Sequence, residues 1–280
     1  MHADGGLDFS AWSRLLDFHL DNGTSGIVVG GTTGESATVS DAELRELTER
    51  ACAQVQGRIQ VIAGAGTSST ATTVERVGWI SQLPVDGVLI VTPAYNRPTQ
   101  EGLFRHYQAA AAVSRVPVIA YNVPSRTAVD MLPATVGRIA QLPRVAAVKE
   151  AVASVARVRE ILDLVPSTFA VLSGDDATAR EMVLAGARGV ISVTANVAPR
   201  AMAAMIAAAM QGDDASARTL DAGLAPLHET LFLEANPIPA KWALARMGLM
   251  GAGLRLPLTE LAAQYHPALE RALRQAGALP

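Results

Sequence analysis

The sequence predicts an α/β fold of the (β/α)8 TIM-barrel type with a C-terminal helical extension, and three observations lead there. Apolar, β-branched runs alternate with amphipathic helical stretches as far as Val193. The runs are continuously apolar, the pattern of strands covered on both faces and so of a parallel sheet. Polar residues that a core does not need collect just after these runs: Thr32, Thr33 and Glu35, then Tyr95, Asn96 and Arg97, then Tyr121, Asn122 and Arg126, with Lys149, Glu150, Asp175, Asp176, Thr194 and Asn196 following. In a barrel all strand ends converge on one face, so residues dispersed over many strands line one pocket. A length of 280 residues suits such a barrel.

Strands are expected at 26–30, 59–64, 87–92, 116–121, 145–149, 169–173 and 189–193, seven where a barrel has about eight. The chain reaches its first helix, expected at 9–20, after MHADGGLD alone. Ser40 and Glu43 read as a capping box opening a helix at 41–55. Pro133 suits the first turn of a helix after Asp130. Beyond Val193 the pattern is almost purely helical, with helices at 201–210, 215–224, 239–250 and 259–275. No linker-like tract divides the chain, so residues 1–212 are expected to form the barrel and 213–280 a helical region packed on it.

A net charge of −3 and a pI near 6.0 give no sign of a nucleic-acid or membrane-surface partner. No apolar run is long enough for a membrane span, and the N-terminus lacks the basic and apolar regions of a signal peptide, so the cytoplasm is the expected compartment. The lone Cys52 excludes an internal disulfide and reads as a structural thiol. GGTTGES (30–36) joins a strand to a helix and offers backbone N–H groups to an anion, but no phosphate-binding GxxxxGK[ST] or strand-borne GxGxxG occurs. Five scattered histidines without ligand spacing imply no metal.

Two residues carry the chemistry. Of 23 basic residues only Lys149 and Lys241 are lysines, and Lys149 ends a strand of small apolar residues. A free lysine, with a pKa of about 10.4, is neutral in only about one molecule in 2,500 at pH 7. Burial in a pocket brings that pKa down to roughly 7–8 and frees the amine to attack a carbonyl. Arginine cannot replace it, because it does not lose its proton. Adjacent strand residues face opposite ways, so Glu150 is poorly placed to neutralise Lys149. The second residue is Arg126, displayed from a loop that Pro124 fixes, where a guanidinium can hold a carboxylate with two hydrogen bonds.

Eight stretches in order, GTTGESAT, VIAGAG, TPAYNRPTQEGL, YNVPSRT, VKEA, LSGDD, GVISVTAN and NPIPAKWA, resemble the dihydrodipicolinate synthase and N-acetylneuraminate lyase family of class I aldolases over essentially the whole chain. The resemblance implies a lyase that condenses pyruvate with L-aspartate 4-semialdehyde, giving 4-hydroxy-tetrahydrodipicolinate for diaminopimelate and lysine synthesis. Lys149 would form the Schiff base with pyruvate. Thr33 would hold its carboxylate and the backbone at Ile191 would lie beside it. Tyr121, Thr32 and Tyr95 would relay protons, Tyr95 being lent by a neighbouring subunit of a homodimer or dimer-of-dimers tetramer. Arg126 would bind the carboxylate of the semialdehyde; sugar-acid lyases of the family lack this arginine. No cofactor or metal is implied. The other readings are a pyruvate-dependent aldolase acting on a sugar acid or another aldehyde, and a catalytically impaired homologue.

Three departures from the family pattern stand out. Relatives carry a first barrel strand ahead of the position of Met1, so that strand is expected to be missing from this chain, in keeping with the count of seven. Ala94 replaces an aromatic residue that packs at the subunit interface of many relatives. Asp41, Leu44, Ser68, Thr72 and Ala94 stand at the positions of the family's allosteric lysine pocket without its histidine, asparagine and glutamate side chains. Weak or absent inhibition by lysine is therefore expected.

Overall fold

The computed structural model describes residues 1–280, which divide into two compact units: Met1–Ile59 with Ser192–Pro280, and Gln60–Ile191. Along the chain lie α1 (Phe9–Asp21), β1 (Gly26–Val29), α2 (Asp41–Val55), β2 (Gln60–Gly64), α3 (Thr70–Ile80), β3 (Gly87–Val91), α4 (Gln100–Val113), β4 (Val118–Asn122) and α5 (Pro124–Thr127). Then come α6 (Pro133–Ile139), β5 (Val145–Glu150), α7 (Val155–Leu164), β6 (Ala170–Ser173), α8 (Ala179–Leu184), α9 (Pro199–Met210), α10 (Asp214–Thr230), α11 (Ile238–Arg246) and α12 (His266–Gln275).

In the Gln60–Ile191 unit, β2 to β6 pair in parallel and in chain order. Val88 and Ile90 of β3, Val118 and Ala120 of β4, and Val148 of β5 are fully buried, which is what continuous apolar runs require of a two-sided parallel sheet. The register places Tyr121 of β4 directly beside Lys149 of β5, and Lys149 beside Leu172 of β6. Helices α3, α4, α6 and α7 pack in succession, burying Val77, Ile80, Leu103, Tyr107, Val136, Ile139, Val158 and Ile161.

The seventh expected strand does not form. Residues 189–193 contribute only a parallel bridge from Val190 to Ser173, closed by Ser173 N–H to Gly189 O (2.8 Å) and Ile191 N–H to Ser173 O (2.9 Å). Gly189 lies at φ +145°, and Val193 is already helical as it enters a 3₁₀ turn over Thr194–Asn196, so extended backbone cannot continue. The structure thus has six strands, not seven.

In the other unit, Gly30 ends β1 one residue early by turning to φ +67°. The capping box at Ser40 and Glu43 forms as the sequence demands, with both reciprocal hydrogen bonds present. Helix α10 runs past the expected end at 224 and through Pro226, because Leu224, Leu227 and His228 on its far half are buried. The helix expected at 259–275 begins only at His266, where Pro267 takes the first turn. Residues 1–8 contain turns, one closed by His2 N–H to Gly6 O at 2.8 Å. No helix of the chain is long and apolar enough to cross a membrane.

Candidate active site

Lys149 is the penultimate residue of β5, and its side chain is buried, with 9% of the residue exposed. Its Nζ lies 4.2 Å from the centre of the Tyr121 ring, which the strand register brings alongside. Burial lowers the Lys149 pKa from 10.5 to about 8; the Asp176 carboxylate opposes the shift and the Arg126 guanidinium adds to it. Asp176, itself 3% exposed, acts electrostatically on this amine, and the sequence reading assigned it no role of its own.

Gly174 makes room for the lysine stem. A Cβ at that position would stand 3.0 Å from Lys149 Cε, 3.1 Å from Lys149 Cγ and 2.9 Å from Ala151 Cβ. Its backbone is held there by a hydrogen bond from Gly174 N–H to Glu150 O (2.7 Å).

Glu150 faces away from Lys149, as strand alternation requires, and its carboxylate is fully buried. It accepts hydrogen bonds from Arg157 Nε (2.9 Å), Val152 N–H (2.8 Å) and Asn122 Nδ2 (3.1 Å). Burial pushes its pKa up, and these donors oppose the rise. Arg157 also donates to Asp130 Oδ1 (2.7 Å), Asp130 Oδ2 (3.1 Å) and the Met131 carbonyl (2.7 Å). Asn122 donates to Asp130 Oδ1 (2.8 Å) and accepts from Met131 N–H (2.9 Å). This largely buried network pins both ends of the segment 122–131; Arg126, expected on a loop, lies instead in the short helix α5 and is exposed, because Pro124 takes the helix's first turn. Sequence reasoning missed the network. Its one local signal was an acid whose strand position turns it away from the adjacent lysine.

Tyr95 is held at φ +72° and is 95% exposed. Asn96 Nδ2 to Ser68 O (2.8 Å) and Arg97 Nε to Ala128 O (3.2 Å) anchor its turn, so the ring points outward from its own chain. Ile191 is fixed by its N–H to the Ser173 carbonyl.

Thr32 and Thr33 belong to the other unit, in a 3₁₀ turn over Thr32–Gly34. The N–H groups of Gly34, Glu35 and Ser36 are spent on the carbonyls of Gly31, Thr32 and Gly31. Those of Thr32 and Thr33 lie outside the turn's own hydrogen bonds, so three of the donors expected here are spent within the turn. Glu35 closes the turn in left-handed conformation (φ 55°), its side chain fully buried against the Lys241 amine, and accepts from Arg255 N–H at 3.0 Å. The chain's two lysines thus differ in their surroundings: Lys241 is ion-paired with Glu35, whereas Lys149 is buried beside the Tyr121 ring, with the Asp176 carboxylate acting on it electrostatically. Thr33 Oγ1 accepts from Asn236 Nδ2 at 3.0 Å. No group of three or more histidine, cysteine, aspartate or glutamate side chains is disposed to hold a metal ion.

The chain belongs to the dihydrodipicolinate synthetase family, whose model matches residues 1–276. Among its relatives is the 4-hydroxy-tetrahydrodipicolinate synthase of Stutzerimonas stutzeri, 54% identical over 279 residues, covering 100% of this chain and 96% of that one. Its fold is shared by the chloride-inhibited dihydrodipicolinate synthase of Acinetobacter baumannii, solved in complex with pyruvate. That enzyme is 45% identical with a TM-score of 0.98, and the match covers 100% of this chain and 96% of that one. A dihydrodipicolinate synthase characterised as a first monomeric variant matches at 41% identity and a TM-score of 0.96, covering 99% and 93% of the two chains.

Proposed function

We propose that this chain is a (β/α) barrel enzyme that condenses pyruvate with L-aspartate 4-semialdehyde through a Schiff base on Lys149, a step of diaminopimelate and lysine synthesis. The observation that carries the reading is the desolvated Lys149 amine beside the Tyr121 ring. Full-length relatives named 4-hydroxy-tetrahydrodipicolinate synthase support this substrate pair over a sugar acid.

The neutral Nζ adds to the C2 carbonyl of pyruvate, and loss of water leaves the imine. The iminium withdraws electrons, so the methyl group gives up a proton and becomes an enamine carbon. That carbon attacks the aldehyde, forming the C–C bond, and the aldehyde oxygen takes a proton. The amine of the second substrate then adds to the imine carbon, closing the ring as the bond to Lys149 breaks and the free amine returns. Tyr121, Thr32 and Tyr95 carry the protons away from bulk water. Thr33 holds the pyruvate carboxylate, the Ile191 backbone lies beside the bound keto acid, and Arg126 takes the carboxylate of the semialdehyde. Tyr95 reaches out to serve a second copy of the chain in a homodimer or dimer of dimers, a reading supported by its 95% exposure in its own chain. The setting is the cytoplasm.

Borohydride reduction in the presence of pyruvate tests the central step. Mass spectrometry should find one reduced pyruvate adduct, on Lys149. An unmodified Lys149 under saturating pyruvate overturns the assignment.

A further inference from the structure

The turn that carries Thr33 and the stretch NPIPAK that opens α11 meet twice, through residues more than two hundred apart in sequence. One contact is the buried ion pair of Glu35 with Lys241. The other is the hydrogen bond from Asn236 Nδ2 to Thr33 Oγ1, with Asn236 only 4% exposed. Of the two stretches, NPIPAK is one to which the chemistry of Lys149 assigns no role.

The direction of the second bond matters. A hydroxyl has one proton and two lone pairs. When its oxygen accepts from an amide, its proton is left for another acceptor. An ionised carboxylate is acceptor-only, so a threonine that binds one must donate. We propose that Asn236 is a positioning residue: it fixes the Thr33 hydroxyl as a donor to the carboxylate of the keto acid, while the Glu35–Lys241 pair holds the turn in register with it. The inference rests on the reading of Thr33 as the carboxylate site and adds the device that sets the polarity of that site. Asn236 does not touch the reacting atoms and acts through Thr33.

Substitution separates polarity from packing. Asn236→Asp keeps shape but presents an acceptor and a negative charge, so the Thr33 proton turns inward and the keto-acid carboxylate is repelled. Asn236→Leu keeps volume and removes the bond without reversing it. The full-length variants, with Thr33→Val and the double change Thr33→Val/Asn236→Leu, are compared by pyruvate half-saturation in borohydride trapping and in turnover. KM for the semialdehyde, kcat and Tm are measured alongside.

Asn236→Asp should raise pyruvate half-saturation at least about tenfold, about 1.4 kcal/mol, and Asn236→Leu about threefold. Semialdehyde KM and kcat at saturating pyruvate should stay within about threefold of wild type. Because Asn236 acts through Thr33, the double variant should bind pyruvate no worse than Thr33→Val alone. Pyruvate half-saturation unmoved in the Asp and Leu variants overturns the proposal. So does a loss of Tm and kcat without a pyruvate-specific effect, which would mark Asn236 as merely structural. If the Asp variant does not fold, the Leu and Val pair decides through the same cycle. A wild-type chain that pyruvate does not label overturns the Lys149 reading and this one together; normal labelling with unmoved variants overturns this one alone.

Discussion

Adding one methyl group at Gly174 should cripple the lysine without touching it chemically. The new Cβ of Gly174→Ala would lie 2.9–3.1 Å from Ala151 Cβ and from the Cε and Cγ atoms of Lys149, whereas carbon atoms pack best at about 3.5–4.0 Å. Each contact is thus about 0.4–0.6 Å short of even the lower end of that range. Neither side yields freely: Gly174 is tied by its N–H to Glu150, and Ala151 has no rotamer to change. Overpacking of this kind costs about 1–3 kcal/mol, and at about 2–4 °C per kcal/mol for large chains Tm should fall by several degrees. The compliant partner is the lysine stem, and moving Nζ by about 1 Å should slow imine formation on the order of a hundredfold. The assay is the rate of borohydride-trapped pyruvate adduct, followed by mass spectrometry, with Tm from circular dichroism. Adding Ala151→Gly removes the 2.9 Å contact and not the lysine ones, so stability should partly return while trapping stays slow. Wild-type trapping and wild-type Tm in Gly174→Ala would refute the argument.

A Lys149 pKa of about 8 predicts that trapping rises about tenfold between pH 7 and 9 and then levels off; a rate still climbing at pH 10 contradicts it. Since this pKa is lowered on folding, the unfolded chain binds the extra proton between about pH 8 and 10.5, and the group adds on the order of 3 kcal/mol of stability as pH rises through that window, readable by urea titration. Arg126→Ala should raise semialdehyde KM about tenfold to a hundredfold with pyruvate KM unmoved, and should shift the trapping profile to higher pH because the guanidinium helps depress the lysine pKa. Arg157→Leu leaves the Glu150 carboxylate buried without its cation and should cost about 3–5 kcal/mol in urea unfolding, largely recovered by adding Glu150→Gln. Half-inhibition by lysine should require more than roughly 1 mM in a steady-state assay.

How much of this was legible in the sequence follows from the range of the forces involved. GVLIV, VIAYN and VAAVKE announce buried parallel strands because composition alone makes them so, and the Ser40 capping box spans four residues and is read directly. The strand at 189–193 failed because one glycine dihedral outweighed a β-branched run, and helix α12 started late because a proline chose its first turn. The Lys149 environment was readable from a lone amine closing an apolar strand. The Glu150–Arg157–Asp130 network and the Glu35–Lys241 and Thr33–Asn236 contacts were not, since they join residues with no common local pattern.

The near absence of lysine has a consequence for how the chain meets aldehydes. Apart from the terminal amine, its only other primary amine, on Lys241, is locked in a buried salt link, and its remaining surface cations are guanidinium groups. Along these residues, reactive carbonyl compounds therefore find no exposed lysine side chain with which to condense. Amine-directed cross-linkers should couple poorly to side chains here, and an imine formed on a lysine of this stretch reports on its interior.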